Sequence, residues 1–213
     1  MAEDNRQAKD ALLRALLPDV PFDGWSRHGM IAAAKRIGLS EAETRALFRT
    51  GPRDLIAAFS RWADRQMLAR LDHMDLAGMK THERVGAAVM ARIEAMALHR
   101  EAVRRALAIL AVPYNTPLAA RLIYETVDTI WRAAGDESVD FNFYTKRGLL
   151  AGVYAATTLY WLDDRSPGAA ETEAFLERRL ADVMALPRLG ARLREGLDRL
   201  PNPFRLMRVA RKN

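Results

Sequence analysis

The chain has 213 residues, half of them apolar. That is enough for one sizeable core, and it excludes global disorder. There is no cysteine, which excludes a disulfide scaffold, a zinc finger, an iron–sulfur cluster and a thiol nucleophile, and is what a reducing intracellular compartment permits. The net charge of +6 is local: residues 188–213 hold eight basic and two acidic side chains, so residues 1–187 are neutral. A partner carrying phosphate or anionic lipid should therefore meet the tail first.

Spacings of three and four recur throughout, and no stretch alternates as a strand would. The pattern predicts an all-α chain of nine or ten helices. The first, over 3–17, has Leu12, Leu13, Leu16 and Leu17 on its apolar face and stops at Pro18 and Pro21. A second is capped by Asp23 or Ser26 and closed by Gly38. A third begins with a capping box formed by Ser40 and Glu43 and ends near Phe48. Longer helices are expected over 53–74, 83–99, 101–112, 117–134, 142–162 and 170–185. Three units are drawn: a helix-turn-helix-like module over 1–62, a helical domain over 63–187 and a basic amphipathic tail over 188–213. The opening MAEDNRQAKD is acidic and polar, unlike a signal peptide.

Catalytic patterns are missing. The sequence has no P-loop, no GxGxxG, no GxSxG, no HExxH and no ExxH. His28, His73, His82 and His99 are scattered, and Asp163-Asp164-Arg165 reads as a helix exit with salt bridges. The expectation is a non-enzyme with no cofactor and no metal. The first three helices have the layout of a helix-turn-helix. Its second helix opens on Glu41 and Glu43, however, and those carboxylates would face DNA phosphates and be repelled. A scaffold without specific nucleic-acid binding is the preferred reading, and a transcriptional regulator is the rival.

Two further features invite a ligand. Residues 148–162, GLLAGVYAATTLYWL, are apolar on every side and predict burial all round, with Gly148, Gly152 and Ala156 at spacing four. At 15 residues the run is shorter than the roughly 20 needed to span a bilayer. Core packing and an apolar cavity both fit it. In the tail, Leu189, Leu193, Leu197, Leu200, Phe204 and Met207 continue one stripe, with arginines such as Arg192 around it. Such a helix fits a membrane interface, with docking on the body or a dimer face as alternatives.

The segments VPFDGWS at 20–26, GPRDLIAAFSRWADRQM at 51–67 and DFNFYTKRGLLAGVYAATTLYWLDDRSP at 140–167 resemble the ubiquinone (coenzyme Q) biosynthesis accessory protein nine family in its bacterial form. The resemblance covers nearly the whole chain. It implies a TetR-regulator-like all-α fold without the regulator's DNA function, and an apolar pocket for ubiquinone intermediates in the C-terminal domain. It also implies peripheral membrane contact and a partner, the demethoxyubiquinone hydroxylase or a functional equivalent, which carries the di-iron chemistry. One departure is Phe143, where the family commonly has Trp, so an N–H donor is lost there.

On this basis the lipid should meet Ile123, Ile130, Trp131, Leu149, Leu150, Val153, Tyr154, Leu159 and Trp161, the apolar residues of two sequential helices. The lipid is an isoprenoid quinone or a phospholipid. The partner enzyme should meet Phe143, Tyr144 and Lys146, and an anionic membrane surface should meet the tail stripe. A homodimer is expected, placed in the cytoplasm and peripherally on the inner face of the cytoplasmic membrane.

Overall fold

The computed structural model describes residues 2–135 and 141–198, with side chains described over 3–135 and 145–185. Among the described residues there are ten α-helices, three short 3₁₀ turns and no strand.

Helix α1 (Ala2–Leu16) opens on Glu3 and Asp4, which suit the positive end of the helix dipole, and buries Leu12, Leu13 and Leu16 completely. Helix α2 (Val20–Asp23) is a single turn around Pro21, closed by Gly24 at φ +66°. Here proline helps to start a turn, where the sequence reading saw only a stop, because its fixed φ suits a first helical turn. Helix α3 (Arg27–Arg36) is capped by Ser26, whose Oγ accepts from the Gly29 N–H at 3.0 Å. Helix α4 (Glu41–Leu47) carries the expected capping box. The Glu43 N–H donates to Ser40 Oγ at 3.2 Å, and the Ser40 N–H donates to the Glu43 carboxylate at 2.9 Å.

Helix α5 (Pro52–Leu71) is central and packs on α1, on α6 (Thr81–Ala95) and on α8 (Thr116–Ala133). A 3₁₀ turn at Ala97–His99 leads from α6 into α7 (Arg100–Leu110). Helix α9 (Phe141–Asp163) lies against α8 and α10 (Ala170–Asp198). One apolar core runs through the chain, from Leu12 and Trp25 through Phe59, Met67 and Val89 to Ile130, Trp161 and Leu176. The points 62/63 and 187/188 both fall inside helices, α5 and α10.

Two expectations are corrected. The helix expected to end near 185 runs on to Asp198 with Pro187 inside it. Proline costs a helix one hydrogen bond and a local clash, but it leaves the turns on either side able to continue. The expected burial all round of 148–162 is also not found. Leu150, Val153, Tyr154, Thr157 and Trp161 are buried, whereas Gly148, Gly152, Leu159 and Tyr160 are exposed. A Cβ placed on Gly148 or Gly152 would meet nothing within 4 Å. Helix α9 flanks the bundle, so only the side turned to its neighbours is covered, however apolar the other side is.

Candidate functional site: an apolar cavity with a charged floor

Helices α5 to α9 line an open cavity of about 340 Å³. Its walls are aliphatic: Val103, Leu107 and Leu110 from α7, Leu122 and Ile123 from α8, and Leu159 from α9. The rim is open, since Leu159 is 59% exposed. The floor is polar, and Ser60, Arg92, Thr126 and Tyr154 all line it.

Arg92 is 3% exposed, and α6 aims it inward because it shares a face with Val85, Val89 and Met96. Its Nε donates to Asp64 Oδ1 at 2.7 Å, and the Thr126 hydroxyl donates to the same oxygen at 3.0 Å. One terminal nitrogen donates to the Tyr154 hydroxyl and to Met96 Sδ at 3.4 Å. The other donates to the Ser60 carbonyl at 3.2 Å and to its hydroxyl at 3.0 Å. The Tyr154 ring centroid lies 5.2 Å from the guanidinium carbon. Burial pushes the Arg92 pKa down, but the hydrogen bonds to Tyr154 and Asp64 and the Asp64 charge outweigh it, and the pKa ends above its ordinary value. The floor therefore holds a permanent cation inside an apolar chamber.

Of the nine expected lipid residues, Ile123, Tyr154 and Leu159 line this cavity. Ile130, Leu150, Val153 and Trp161 are packed in the core, and Leu149 and Trp131 are half-buried away from the cavity. Trp131 carries the ammonium of Lys146 5.6 Å from its ring centroid. The side chains of Phe143 and Tyr144, and those of Leu189, Arg192, Leu193 and Leu197, lie outside the described residues, as do Leu200, Phe204 and Met207 altogether.

The sequence reading missed Asp64, Arg92 and Thr126. A signal existed: Arg92 interrupts the apolar stripe of α6, and Asp64 shares the buried side of α5 with Ile56, Ser60 and Met67. A charge on a buried stripe demands a partner of opposite sign.

Asp164 and His99 have structural explanations. The Asp164 carboxylate accepts from the N–H and hydroxyl of both Ser166 and Thr172, at 2.5 to 2.9 Å. Burial works against its charge, yet those four donors hold its pKa down at about 2. Asp163-Asp164-Arg165 is thus a helix exit, with Asp164 tying α9 to the start of α10. His99 sits edge-on to Phe59 and Trp62, and burial lowers its pKa. A wider groove of about 1090 Å³ lies between α5, α6 and α10, lined by Met74, Met79, Met90 and Met184 with Glu83, Glu94, Glu173 and Glu177. It contains none of the expected lipid residues. Among the described residues, no three His, Asp or Glu side chains are grouped to hold a metal ion.

Residues 116–187, covering α8, α9 and the first part of α10, match the COQ9 family model. The rat (Rattus norvegicus) "Ubiquinone biosynthesis protein COQ9, mitochondrial" is 34% identical over 193 residues, covering 85% of this chain and 60% of that protein. The chain is thus similar to COQ9 proteins over most of its own length. The human protein of the same name is 34% identical over 191 residues, covering 85% of this chain and 59% of that one. The Schizosaccharomyces pombe protein is 29% identical over 178 residues, covering 84% and 70%. The chain thus spans about 60% of the length of the mammalian COQ9 proteins. These relatives are named as mitochondrial and lend no support to the inner face of a bacterial cytoplasmic membrane. Among the described residues, no single helix is long and apolar enough to cross a membrane.

A TetR transcriptional regulator from Nitrosomonas europaea superposes with a TM-score of 0.68 at 22% identity, covering 83% of this chain and 97% of that one. The all-α, TetR-regulator-like fold expected from the resemblance is therefore the fold observed. The likeness concerns the fold alone. In this chain, α4 exposes Glu41 and Glu43 where a DNA reader would offer donors.

Proposed function

We propose that this chain is a non-enzymatic accessory protein of ubiquinone biosynthesis that binds a polyprenyl quinone intermediate and offers it to a hydroxylase. The observation that carries the reading is the apolar cavity, whose α8 and α9 walls lie inside the stretch that matches COQ9. The names of the relatives support the pathway. At about 340 Å³ the cavity lies within the ~300–1,000 Å³ typical of ligand pockets, with the apolar lining and few polar groups usual for them. It would hold a ring and the start of a chain, the rest passing the exposed rim at Leu159 towards the bilayer.

The remaining roles follow the same reading. The basic end of α10 and the residues after it touch an anionic membrane surface, and the protein stays peripheral on the membrane that holds the quinone. Phe143, Tyr144 and Lys146 meet the hydroxylase, a demethoxyubiquinone hydroxylase or its equivalent. The chain works as a homodimer, and no step of the chemistry is its own. Mass spectrometry of an organic extract from the purified protein tests the central claim. An isoprenoid quinone or its precursor is the expected finding. An extract with no isoprenoid, together with failure to take one up from vesicles, would remove the reading.

A further inference from the structure

The floor of the cavity has a chemical preference, and this inference rests on reading the cavity as the lipid site. A guanidinium has five N–H groups. All five of Arg92 are spent inside the protein, on Asp64, Tyr154, Met96 and Ser60. Asp64 already neutralises the charge at 2.7 Å. An anionic head, whether carboxylate or phosphate, would find no spare donor on Arg92 and would add a second negative charge beside Asp64. A pure hydrocarbon would leave the polar floor facing apolar carbon.

The hydroxyl protons are still available. The oxygens of Tyr154 and Ser60 each accept from Arg92, and among the described residues no acceptor takes either hydroxyl hydrogen. Accepting from a cation polarises an O–H and strengthens it as a donor. Tyr154 is 7% exposed and lines the cavity, so its hydroxyl is largely withdrawn from bulk water.

We infer that the Tyr154 hydroxyl, positioned by Arg92, is the donor that recognises a neutral oxygenated ring at the head of an isoprenoid or alkyl chain. Ser60 supplies a second, weaker donor. The site selects a ring carbonyl or ring hydroxyl over fatty acids, phospholipid headgroups and rings without oxygen. The aliphatic residues Leu107, Leu110 and Ile123 take the first part of the chain without discriminating.

The test uses the full-length protein and three probes: decylubiquinone, decylbenzene and oleate. Binding is read by isothermal titration calorimetry. The first two probes share the alkyl chain and differ in ring oxygens. Wild type should favour decylubiquinone over decylbenzene by about tenfold, the worth of one buried hydrogen bond. It should bind oleate more weakly than decylubiquinone. Tyr154→Phe keeps the ring and should reduce the preference to near unity while leaving decylbenzene affinity unchanged. That unchanged affinity also shows that the cavity is intact. Ser60→Ala should lower the preference less.

Infrared spectroscopy of decylubiquinone on wild type provides a second readout that needs no variant. Its carbonyl stretch should shift down relative to the same probe in hexane. An unshifted band, an unchanged preference in Tyr154→Phe or a preference for oleate would overturn the assignment. If no probe binds wild type at all, the lipid-site reading fails as well. Equal binding of the two decyl probes overturns only the ring recognition.

Discussion

Arg92 and Asp64 form a buried pair whose partners can be exchanged only together. Removing one member leaves the other charged and uncompensated, which typically costs about 3–5 kcal/mol, whereas replacing both with apolar residues is often close to neutral. Arg92→Met should therefore destabilise by about that much, and Arg92→Met with Asp64→Leu should recover most of it. Urea unfolding of the two single variants and the double variant measures this. Recovery of the fold without recovery of quinone binding would separate the stability of the floor from its selectivity. Asp164 makes a different prediction. Its folded pKa of about 2 lies below the ordinary 3.8, so its contribution is complete above that ordinary value and disappears as pH falls towards 2. Asp164→Ala should cost about 1–3 kcal/mol at neutral pH, and the variant should lose less stability than wild type between pH 4 and pH 2. Denaturant midpoints across that pH range would show it.

At the scale of the element, the ends of helices decide more than their middles. Ser40 and Glu43 satisfy each other's backbone donors at the start of α4, and the hydrogen bonds from Ser40 hold the Glu43 pKa below its ordinary value. Ser40→Ala should cost about 1 kcal/mol, read as a fall in melting temperature with no change in lipid binding, since α4 is remote from the cavity. Helix α10 is the other telling element. Its continuation to Asp198 makes residues 188–198 an extension of a helix that is anchored on α6 and α9. A membrane contact there would thus be made by a continuation of α10. The apolar stripe and the charge should both be needed, each basic residue adding ~1 kcal/mol near an anionic surface. Leu193→Asp with Leu197→Asp should abolish flotation on anionic vesicles even at low salt. Arg192→Gln, Arg194→Gln and Arg199→Gln together should weaken it and flatten its salt dependence. If a chain ending at Pro187 floats as well as the full chain, the stripe is a docking or dimer face.

For the whole molecule, the fold and the surface point in different directions. The arrangement is shared with a transcriptional regulator, but function depends on the groups a fold presents. Residues 1–60 carry nine basic and eight acidic side chains, a net of only +1, so no strong positive field surrounds helices α1 to α4. Duplex DNA should bind weakly, without sequence preference, through residues 188–213, and the affinity should vanish with salt. Electrophoretic mobility shifts at rising salt, on the full chain and on a chain ending at Pro187, check this. A salt-resistant complex that survives the truncation would restore the regulator reading.

Helix periodicity, caps and stops are local properties, which is why the order of helices, the capping box at Ser40 and the exit at Asp163-Asp164-Arg165 could all be read along the chain. The concentration of charge after Pro187 is likewise a matter of counting. The cavity is a different kind of object, because its surface is assembled from individual residues of five successive helices, spread over 56–159. Apolar character marks Ile123 and Leu159, which line the cavity, and equally marks Ile130 and Trp161, which fill the core. Nothing in a residue's own type says which side of its helix meets a neighbour and which meets a void. The exposed face of α9 makes the same point: its sequence is apolar all round, yet packing covers only one side. The floor is decided entirely by tertiary structure. Asp64, Arg92, Thr126 and Tyr154 sit on α5, α6, α8 and α9, and only the crossing of those helices turns four isolated polar side chains into one buried cation with a hydroxyl to offer.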